Sequence, residues 1–359
     1  MSGMDAFTPR GDVDLGALGS WMDQAGLDRG PILDATRLAG GTQNVLVRFT
    51  KGGRSFVLRR PPPSARPESN ETMRREARIL AALAGTDVPH PALIAACGDP
   101  DVLGYAFYLM EPIDGFSATT GLPPLHAADP SVRRAMGFAL VDGAATLGRV
   151  DYRAVGLDGF GKPDNYLGRQ VERWRLQLDR YGRFEGWPGP AGLPGEAVIA
   201  EFLDKHRPAS FEPGILHGDY SIGNVMYRMD SPELAAIVDW ELATLGDPLV
   251  DLGWLLATWR RVPPVELPVL QVEPWDGFPE PEELVARYAR NSDRDLSAID
   301  WYMVLACYRL GIILEGTFAR ACAGLDPVET GRALHDTSTK LFRRALHRIE
   351  HGAARSRAS

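Results

Sequence analysis

A histidine, two aspartates and an asparagine stand at spacings that would allow their side chains to act together in one reactive site. The segment ILHGDYSIGNVMY, residues 215–227, places His217, Asp219 and Asn224 between two apolar runs, and Asp239 follows a further apolar run in AAIVDWE. Each run is typical of a short buried strand, and such strands would hold the polar loop between them rigid. The pattern therefore predicts that two carboxylates and one amide converge on a common point.

These residue types indicate a particular chemistry. Carboxylate and amide oxygens are hard ligands suited to Mg²⁺, which usually shares its coordination sphere with nucleotide phosphates and water. A second carboxylate nearby can accept a proton from a hydroxyl nucleophile. The set indicates phosphoryl transfer. A hydrogen-bonded polar loop without chemistry is the alternative, and a metal-dependent hydrolase using His217 and Asp219 ranks last, because the sequence has no second histidine cluster at ligand spacing.

Composition limits the classes of protein that remain. The chain has 359 residues, of which 45% are hydrophobic and 24% charged, as expected of a globular protein with two lobes or domains. A formal net charge of -8 argues against nucleic-acid binding. The three cysteines are scattered without C-x-x-C spacing, which suggests neither a disulfide framework nor a zinc site.

The sequence also predicts a cellular location. Acidic residues occupy the N-terminal region where a signal peptide would be basic and then apolar, and no run of about 18 apolar residues occurs. We therefore expect a cytoplasmic protein with no membrane contact.

The hydrophobic periodicity changes along the chain. After a short amphipathic helix in the first thirty residues, the runs ILDATRL, NVLVRFT and RSFVLRR predict an antiparallel meander. The segment SNETMRREARILAALAG predicts a helix, and YAFYLMEPIDG predicts a further strand. From about residue 130 the spacing is mainly helical, with two proline-rich interruptions that are either binding lids or surface excursions. An α+β fold is expected.

The motif H-G-D-x-x-x-x-N, followed by an apolar strand that ends in aspartate, resembles the aminoglycoside phosphotransferase and choline kinase-like family. The blocks LHGDYSIGNVMY and IVDWELATLGDPLVDLGWLL are most similar to the kinase-like domain fused to some acyl-CoA dehydrogenases, and SFVLRRPP and VDYRAVGLDGFGKPDNYLGRQVERW share that similarity. The resemblance implies a protein-kinase-like two-lobed fold. Residues 1–112 would form a small antiparallel-sheet nucleotide-binding lobe with an N-terminal helix, and residues 113–359 a mainly helical catalytic and acceptor-binding lobe.

The resemblance assigns roles to the opening residues. Asp219 would be the catalytic base or the carboxylate that orients the acceptor hydroxyl, and Asn224 and Asp239 would be the Mg²⁺ ligands. We expect His217 to brace the loop rather than transfer protons. Asp251 would either hold the loop from the next helix or be an ordinary acid near a helix start, and we favour a structural role.

The small lobe would hold the nucleotide. In LAGGTQN, Gly40, Gly41 and Asn44 would let backbone N–H groups approach phosphates, although a hairpin turn without a ligand explains the two glycines equally well. In LMEPIDG, the backbone near Glu111 and Ile113 would meet adenine, since the intervening proline has no N–H group.

One position departs from the better-known family pattern. Arg59, followed by Arg60, stands where the family has a phosphate-gripping lysine, and Glu76 is its expected partner. The branch linked to acyl-CoA dehydrogenases shares this arginine. Arginine keeps the positive charge and offers a planar fork to phosphate, so activity is compatible with it. The substitution is nevertheless the main support for the alternative hypothesis, a nucleotide-binding pseudokinase or scaffolding module without turnover.

The resemblance therefore implies a kinase that uses ATP (or GTP) and Mg²⁺ to phosphorylate a hydroxyl of a small molecule. It does not identify that acceptor, for which a hydroxyacyl compound and an amino sugar are two candidates. The helix containing WYMVLACYRLGIILEGTFARACAG carries Arg309, Arg320 and Glu315. If it lines the acceptor pocket, it suits an apolar or anionic acceptor. A core helix packed against its neighbours is an equally good interpretation.

Overall fold

The computed structural model describes residues 13–38, 44–62, 68–260 and 271–356. The chain divides into two compact units. The first comprises Met1–Asp114, Val155–Leu157 and Ala235–Ala243, and the second comprises Gly115–Ala154, Asp158–Leu234 and Thr244–Ser359. The segment Ala235–Ala243, which contains Asp239, thus belongs to the first unit although it lies far beyond residue 112.

The first unit is built on a five-stranded antiparallel sheet of order β1-β2-β3-β5-β4. Its elements are α1 (Leu15–Gln24), β1 (Ile32–Arg37), β2 (Val45–Lys51), β3 (Arg54–Arg60), α2 (Glu68–Leu83), β4 (Leu93–Cys97) and β5 (Phe107–Met110). Alternate residues of β2, Val45, Val47 and Phe49, are buried, which is the period-2 pattern of a strand with one face on the core. The predicted meander is confirmed.

Helix α1 closes one face of this sheet. Asp14 caps it by accepting hydrogen bonds from the N–H groups of Gly16 and Ala17, as N-terminal aspartates commonly do. Leu18 and Met22 lie one helical turn apart and are completely buried in the sheet core. The amphipathic spacing of the sequence therefore predicts this packing correctly.

The second unit is mainly helical. Its helices are α3 (Pro124–Ala128), α4 (Pro130–Arg149), α5 (Gln170–Asp179), α6 (Glu196–Lys205), α7 (Leu249–Thr258), α8 (Pro281–Arg290), α9 (Ile299–Cys322) and α10 (Val328–Ser356). The short strands are β6 (Gly214–Leu216), β7 (Val225–Tyr227) and β9 (Thr244–Gly246), while β8 (Leu234–Ile237) leads into the Asp239 segment of the first unit. Strands β6 and β9 pair antiparallel.

Helix α9 is the core of the second unit and packs along α7 and α10. It approaches α7 so closely that a Cβ atom on Gly253 would come within 2.6 Å of the Cβ atom of Tyr302. Among the described helices, α9 alone is long and apolar enough to cross a membrane, but 78% of its most apolar window is buried inside the protein. The interpretation of this segment as a core helix is therefore correct.

Two smaller features of the sequence can be compared with the structure. Cys97, Cys307 and Cys322 are free thiols, of which Cys97 and Cys307 are buried. Of the second proline-rich interruption, residues 261–270 lie outside the described part of the chain. After it, Trp275 packs with its ring 4.8 Å from the ring of Trp259. The described part of this interruption is thus anchored to the helical core.

Candidate active site

The loop that carries Asp219 is fixed by a buried carboxylate. Asp251, in the first turn of α7, accepts hydrogen bonds from the backbone N–H groups of His217 at 2.6 Å and Gly218 at 2.9 Å. Gly218 has a φ of 88°, a conformation that costs little only for glycine. Burial raises the pKa of Asp251, although His217 and the two N–H groups offset part of that rise. Asp251 therefore has the structural role that we favoured for it.

A buried arginine holds the same loop from another side. The Nη2 atom of Arg309, on α9, donates to the carbonyl oxygen of Gly218 at 2.6 Å, and its guanidinium lies 4.6 Å from the centre of the Trp254 ring. Burial lowers the pKa of Arg309, and nearby acids that include Asp251 and Asp219 offset part of this effect. Arg309 thus supports the loop.

His217 and Tyr220 complete the internal support of the loop. His217 is completely buried, and its Nδ1 atom accepts a hydrogen bond from the backbone N–H of Asp219 at 3.3 Å. Tyr220 is equally buried and donates to the carbonyl oxygen of Leu140 in α4 at 2.7 Å. These contacts agree with the expectation that His217 braces the loop.

Asp219 and Asn224 are brought into direct contact. The Nδ2 atom of Asn224 donates to the Asp219 side chain at 2.8 Å and to its backbone carbonyl at 2.9 Å. Burial raises the pKa of Asp219, while neighbouring His217 and hydrogen bonds from Asn224 and Trp254 offset part of the rise. A carboxylate with a raised pKa is a better proton acceptor. Trp254 carried no signal in the sequence, since a tryptophan in an apolar helix is usually a core residue.

In the first unit, Arg59 joins two acids. Its Nε atom lies 2.7 Å from Oε2 of Glu76, and its Nη2 atom lies 2.7 Å from Oδ1 of Asp239. The side chain of Glu76 is only 1% exposed, whereas that of Asp239 is 42% exposed. Asp239 also adopts left-handed backbone angles, φ 66° and ψ 61°, which aspartate tolerates better than most residues. The expected pairing of Arg59 with Glu76 is present.

Tyr108 is a member of this cluster that sequence reasoning missed. It lies opposite Arg59 in the pairing of β3 with β5, and its hydroxyl donates to Oε2 of Glu76 at 2.8 Å. Burial raises the pKa of Glu76, and the charge of Arg59 and the Tyr108 hydroxyl offset part of that rise. Burial by itself would lower the pKa of Arg59, but Tyr108, Glu76 and Asp239 raise it above the ordinary value. The cluster therefore keeps Arg59 positively charged.

Of the three residues predicted for the phosphate loop, only Asn44 lies within the described part of the chain. Gly40 and Gly41 lie outside the described residues. The side chain of Asn44 hydrogen-bonds that of Glu241, a half-buried acid whose pKa is raised by burial and by the charges of Asp239 and Glu76. Glu241 was also missed, although its position two residues after Asp239 was a usable signal. It adds a third carboxylate to the surroundings of Arg59.

The remaining nucleotide-site candidates lie on or near β3 and β5. The backbone N–H of Glu111 donates to the carbonyl oxygen of Ala92 at 2.9 Å, so Glu111 would offer adenine only its carbonyl oxygen, and Ile113 its N–H group. The Glu111 side chain pairs with Arg54 at 2.9 Å. Arg60 is completely buried, with its guanidinium 4.6 Å from the centre of the Tyr105 ring. Arg60 is therefore a packing residue rather than a phosphate clamp.

The two predicted metal ligands each keep a suitable oxygen. In Asn224 the amide nitrogen is committed to Asp219, which leaves Oδ1 for another partner. In Asp239, Oδ1 binds Arg59, and Oδ2 has no hydrogen bond within the described part of the chain. These are hard oxygen donors of the kind that suits Mg²⁺. The described residues contain no cluster of three or more His, Cys, Asp or Glu side chains arranged as a metal site.

A cleft of about 670 Å³ opens in the second unit between α5 and α9. Its lining includes three arginines, Arg169, Arg173 and Arg180, and a single acid, Glu172. The apolar side chains Leu176 and Ile313, which are 50% and 39% exposed, also line it. Positive charge beside exposed apolar surface suits an anionic ligand with an apolar portion.

The cleft is connected to the Asp219 loop through a ring contact. Trp174 lines the cleft, and its ring centre lies 5.6 Å from the guanidinium of Arg309, which binds Gly218. Of the charged residues of α9, Arg320 pairs with Asp326, and Glu315 is buried. The charged residues that line the cleft therefore come from α5 and the residues that flank it, whereas α9 contributes the apolar side chain of Ile313.

This combination of a five-stranded antiparallel sheet with a helical second unit and an H-G-D-x-x-x-x-N loop defines a protein-kinase-like α+β phosphotransferase. Residues 34–301 match the model of the Phosphotransferase enzyme family, and the chain belongs to that family. The resemblance inferred from the sequence is confirmed.

Curated relatives connect the chain with larger proteins. It is 31% identical over 292 residues to mouse acyl-CoA dehydrogenase family member 10, covering 79% of this chain and 26% of that protein. It is 28% identical over 357 residues to rat acyl-CoA dehydrogenase family member 11, covering 95% of this chain and 45% of that protein. The chain therefore spans about a quarter to a half of the length of these relatives.

Solved structures agree on the fold. A Ralstonia eutropha JMP134 protein assigned to the aminoglycoside phosphotransferases has a TM-score of 0.76 and 28% identity, covering 93% of this chain and 99% of that chain. The GDP complex of aminoglycoside 2'-phosphotransferase-IIIa has a TM-score of 0.63 and 14% identity, covering 91% and 99%. A ternary complex of APH(4)-Ia with AMP-PNP and hygromycin B has a TM-score of 0.60 and 13% identity, covering 91% and 98%. At such identities the last two show the fold alone.

Proposed function

We propose that the protein transfers the γ-phosphoryl group of ATP to a hydroxyl group of a small molecule in a Mg²⁺-dependent reaction. The observation that carries this proposal is the Asp219 carboxylate, half-buried, contacted by Asn224 and Trp254, and fixed through backbone hydrogen bonds to Asp251. Nucleotide complexes of neighbours with the same fold, one with GDP and one with AMP-PNP, support the use of a nucleotide.

Asp219 accepts a hydrogen bond from the acceptor hydroxyl and takes its proton as the hydroxyl oxygen attacks the γ-phosphorus. The bond from that phosphorus to the bridging oxygen breaks, and ADP leaves. Arg59 provides positive charge for the phosphates, with Glu76 fixing its Nε atom. Asn224 and Asp239 would hold Mg²⁺ through side-chain oxygens, and the metal, when bound, neutralises charge on the phosphate oxygens. Phosphoryl transfer needs positioning and charge neutralisation more than covalent chemistry. A rigid loop provides the positioning, and a fixed cation provides the charge neutralisation.

We propose an anionic acceptor with an apolar portion, such as a hydroxyacyl compound, in preference to an amino sugar. The cleft lining has three arginines against one acid, and polycationic amino sugars would be repelled by that charge. Exposed Leu176 and Ile313 offer contacts to an apolar chain. The acyl-CoA dehydrogenase names of the curated relatives fit acyl chemistry, but those proteins are much longer than this chain.

The deciding experiment measures phosphate transfer from ATP and GTP to amino sugars, hydroxy acids and hydroxyacyl thioesters. We expect turnover with the anionic hydroxyacyl compounds, dependence on Mg²⁺, and loss of transfer in Asp219→Asn. Nucleotide binding without transfer to any hydroxyl compound, and without ATP hydrolysis above background, would instead establish the pseudokinase alternative that the arginine at position 59 first suggested.

The metal assignment has its own test. Calorimetric titration with ATP, with and without Mg²⁺, should show that Asn224→Ala and Asp239→Ala lose the contribution of the metal to nucleotide binding. If both variants bind Mg-ATP as the parent does, the two residues are not the metal ligands.

A further inference from the structure

Arg59 contacts two acids, and the two contacts differ in accessibility. Glu76 meets both Nε, 2.7 Å from its Oε2 atom, and Nη2, which donates to its Oε1 atom at 3.3 Å. The Glu76 side chain is 1% exposed and is also held by the Tyr108 hydroxyl. Nη2 contacts Asp239, whose side chain is 42% exposed. The Glu76 contact is therefore a fixed pivot, whereas the Asp239 contact can exchange with a partner that arrives from solvent.

A metal ion at Asp239 and the guanidinium of Arg59 oppose each other. Arg59 already occupies Oδ1 of Asp239 at 2.7 Å, so a divalent cation on the same carboxylate would lie close to a positive charge. Like charges a few ångströms apart repel each other strongly at the effective dielectric constant typical near a protein surface. The cation and Arg59 therefore compete for Asp239 unless Arg59 moves.

We propose that Arg59 is the counter-ion of Asp239 in the nucleotide-free protein and that it must leave Asp239 before a metal ion can bind there. This inference rests on the proposed metal–nucleotide site. When nucleotide phosphates are present, Nη2 turns from Asp239 to the phosphates while Nε stays on Glu76. Arg59 is then a positioning residue that blocks metal binding at Asp239 until a nucleotide is present. Nucleotide and metal therefore favour each other's binding.

This device depends on arginine. The guanidinium fork keeps Nε 2.7 Å from Glu76 while Nη2 lies 2.7 Å from Asp239, and a lysine has a single nitrogen in place of these two. A lysine held by Glu76 would leave Asp239 free for the metal in the absence of nucleotide. The replacement of the family's lysine by arginine therefore alters the order in which metal and nucleotide bind. It does not remove the positive charge that contacts the phosphates.

The test measures the affinity of the nucleotide-free protein for Mn²⁺ by electron paramagnetic resonance, since Mn²⁺ shares the oxygen ligands that Mg²⁺ prefers. Arg59→Lys, which keeps the charge beside Glu76, and Arg59→Gln should both bind Mn²⁺ more tightly than the parent, by about 5-fold or more. Arg54→Lys and Arg54→Gln, on the same strand but paired with Glu111, are the matched controls and should leave Mn²⁺ affinity unchanged.

The outcomes separate this inference from the proposed function. If Asp239→Asn does not weaken Mn²⁺ binding, the metal assignment itself fails. If Asp239→Asn weakens binding but Arg59→Lys stays within about twofold of the parent, only the counter-ion inference is overturned. Melting curves confirm that each variant is folded. If Arg59→Gln does not fold, the comparison of Arg59→Lys with the parent tests the inference by itself, because lysine keeps a cation beside the buried Glu76 carboxylate.

Discussion

The Asp219 loop and the Arg59 cluster are held by different kinds of interaction. In the loop, Asp251 and Arg309 bind backbone N–H and carbonyl groups of residues 217 and 218. In the cluster, Arg59, Glu76 and Asp239 are held by contacts between side chains, namely two ion pairs and the hydrogen bond from the Tyr108 hydroxyl. Backbone contacts fix a position whatever the state of the ligands, whereas charge contacts can exchange partners. The comparison suggests a rigid group for chemistry and an adjustable one for the nucleotide and metal.

The largest effect should come from the residue that the rigid loop presents. Asp219→Asn keeps the shape of the side chain but removes the proton acceptor, and losing a positioned general base typically costs about 10²- to 10⁴-fold in rate. Nucleotide affinity should change little, because Asp219 is assigned to the acceptor. Asp230→Asn, an exposed position in the same unit, is the matched control. Parental turnover of Asp219→Asn on the true acceptor would remove Asp219 from the mechanism.

Removing the support of the loop should damage stability as well as turnover. Asp251→Ala leaves the N–H groups of His217 and Gly218 without their acceptor inside the protein, and each buried unsatisfied group costs about 1 to 3 kcal/mol. Urea denaturation measures the loss. Glu329→Ala, an exposed acid in the first turn of α10, is the matched control for an ordinary helix-terminal acid and should cost only about 0.3 to 1 kcal/mol.

If Asp251→Ala costs no more free energy of unfolding than Glu329→Ala, Asp251 is merely a helix-terminal acid. The contrast between a loop held through its backbone and a cluster held by charges would then lose its main support.

The Arg59 cluster should show coupling instead. Arg59→Ala and Glu76→Ala should each weaken nucleotide binding, and the double variant should be less impaired than the sum of the two predicts. Residues in one charge network typically couple by about 0.5 to 3 kcal/mol. A double-mutant cycle measures this coupling, with the ATP affinities of the parent, both single variants and the double variant determined by calorimetric titration. Additive losses would mean that Arg59 acts on the nucleotide independently of Glu76.

Much of the fold could be predicted from the sequence because its signals are local. The strands before Asp219 and Asp239 are short apolar runs beside turn residues, and α1 and α2 have regular apolar spacing with polar residues at their starts. Strand β4 was missed, since LIAAC is short, contains small residues and lacks an alternating pattern. Its identity as a strand depends on its pairing with β5, which is a tertiary property.

Some residues of the candidate site could likewise be predicted from local sequence signals, and others could not. Asp219, Asn224 and Asp239 lie in a recognisable motif, so their types and spacing sufficed to identify them as candidates. Tyr108 and Arg309 required the structure: Tyr108 meets Glu76 only because β5 lies beside β3, and Arg309 reaches Gly218 across 91 residues of sequence from the middle of a core helix. A buried charge in an apolar helix indicates that a partner exists, but its sequence does not identify the partner.

The smallest effect tests whether the Arg59 cluster differs from an ordinary ion pair on the same strand. Arg54 and Glu111 are joined at 2.9 Å, but their side chains are 44% and 53% exposed, so water and salt screen their attraction. Arg54→Ala and Glu111→Ala should each change the free energy of unfolding by less than about 1 kcal/mol, with coupling of about 0.2 to 1 kcal/mol that falls as salt is added. Urea denaturation at low and high salt measures both. Coupling as large as that between Arg59 and Glu76 would mean that burial does not distinguish the cluster, and its strength would then have to come from geometry alone.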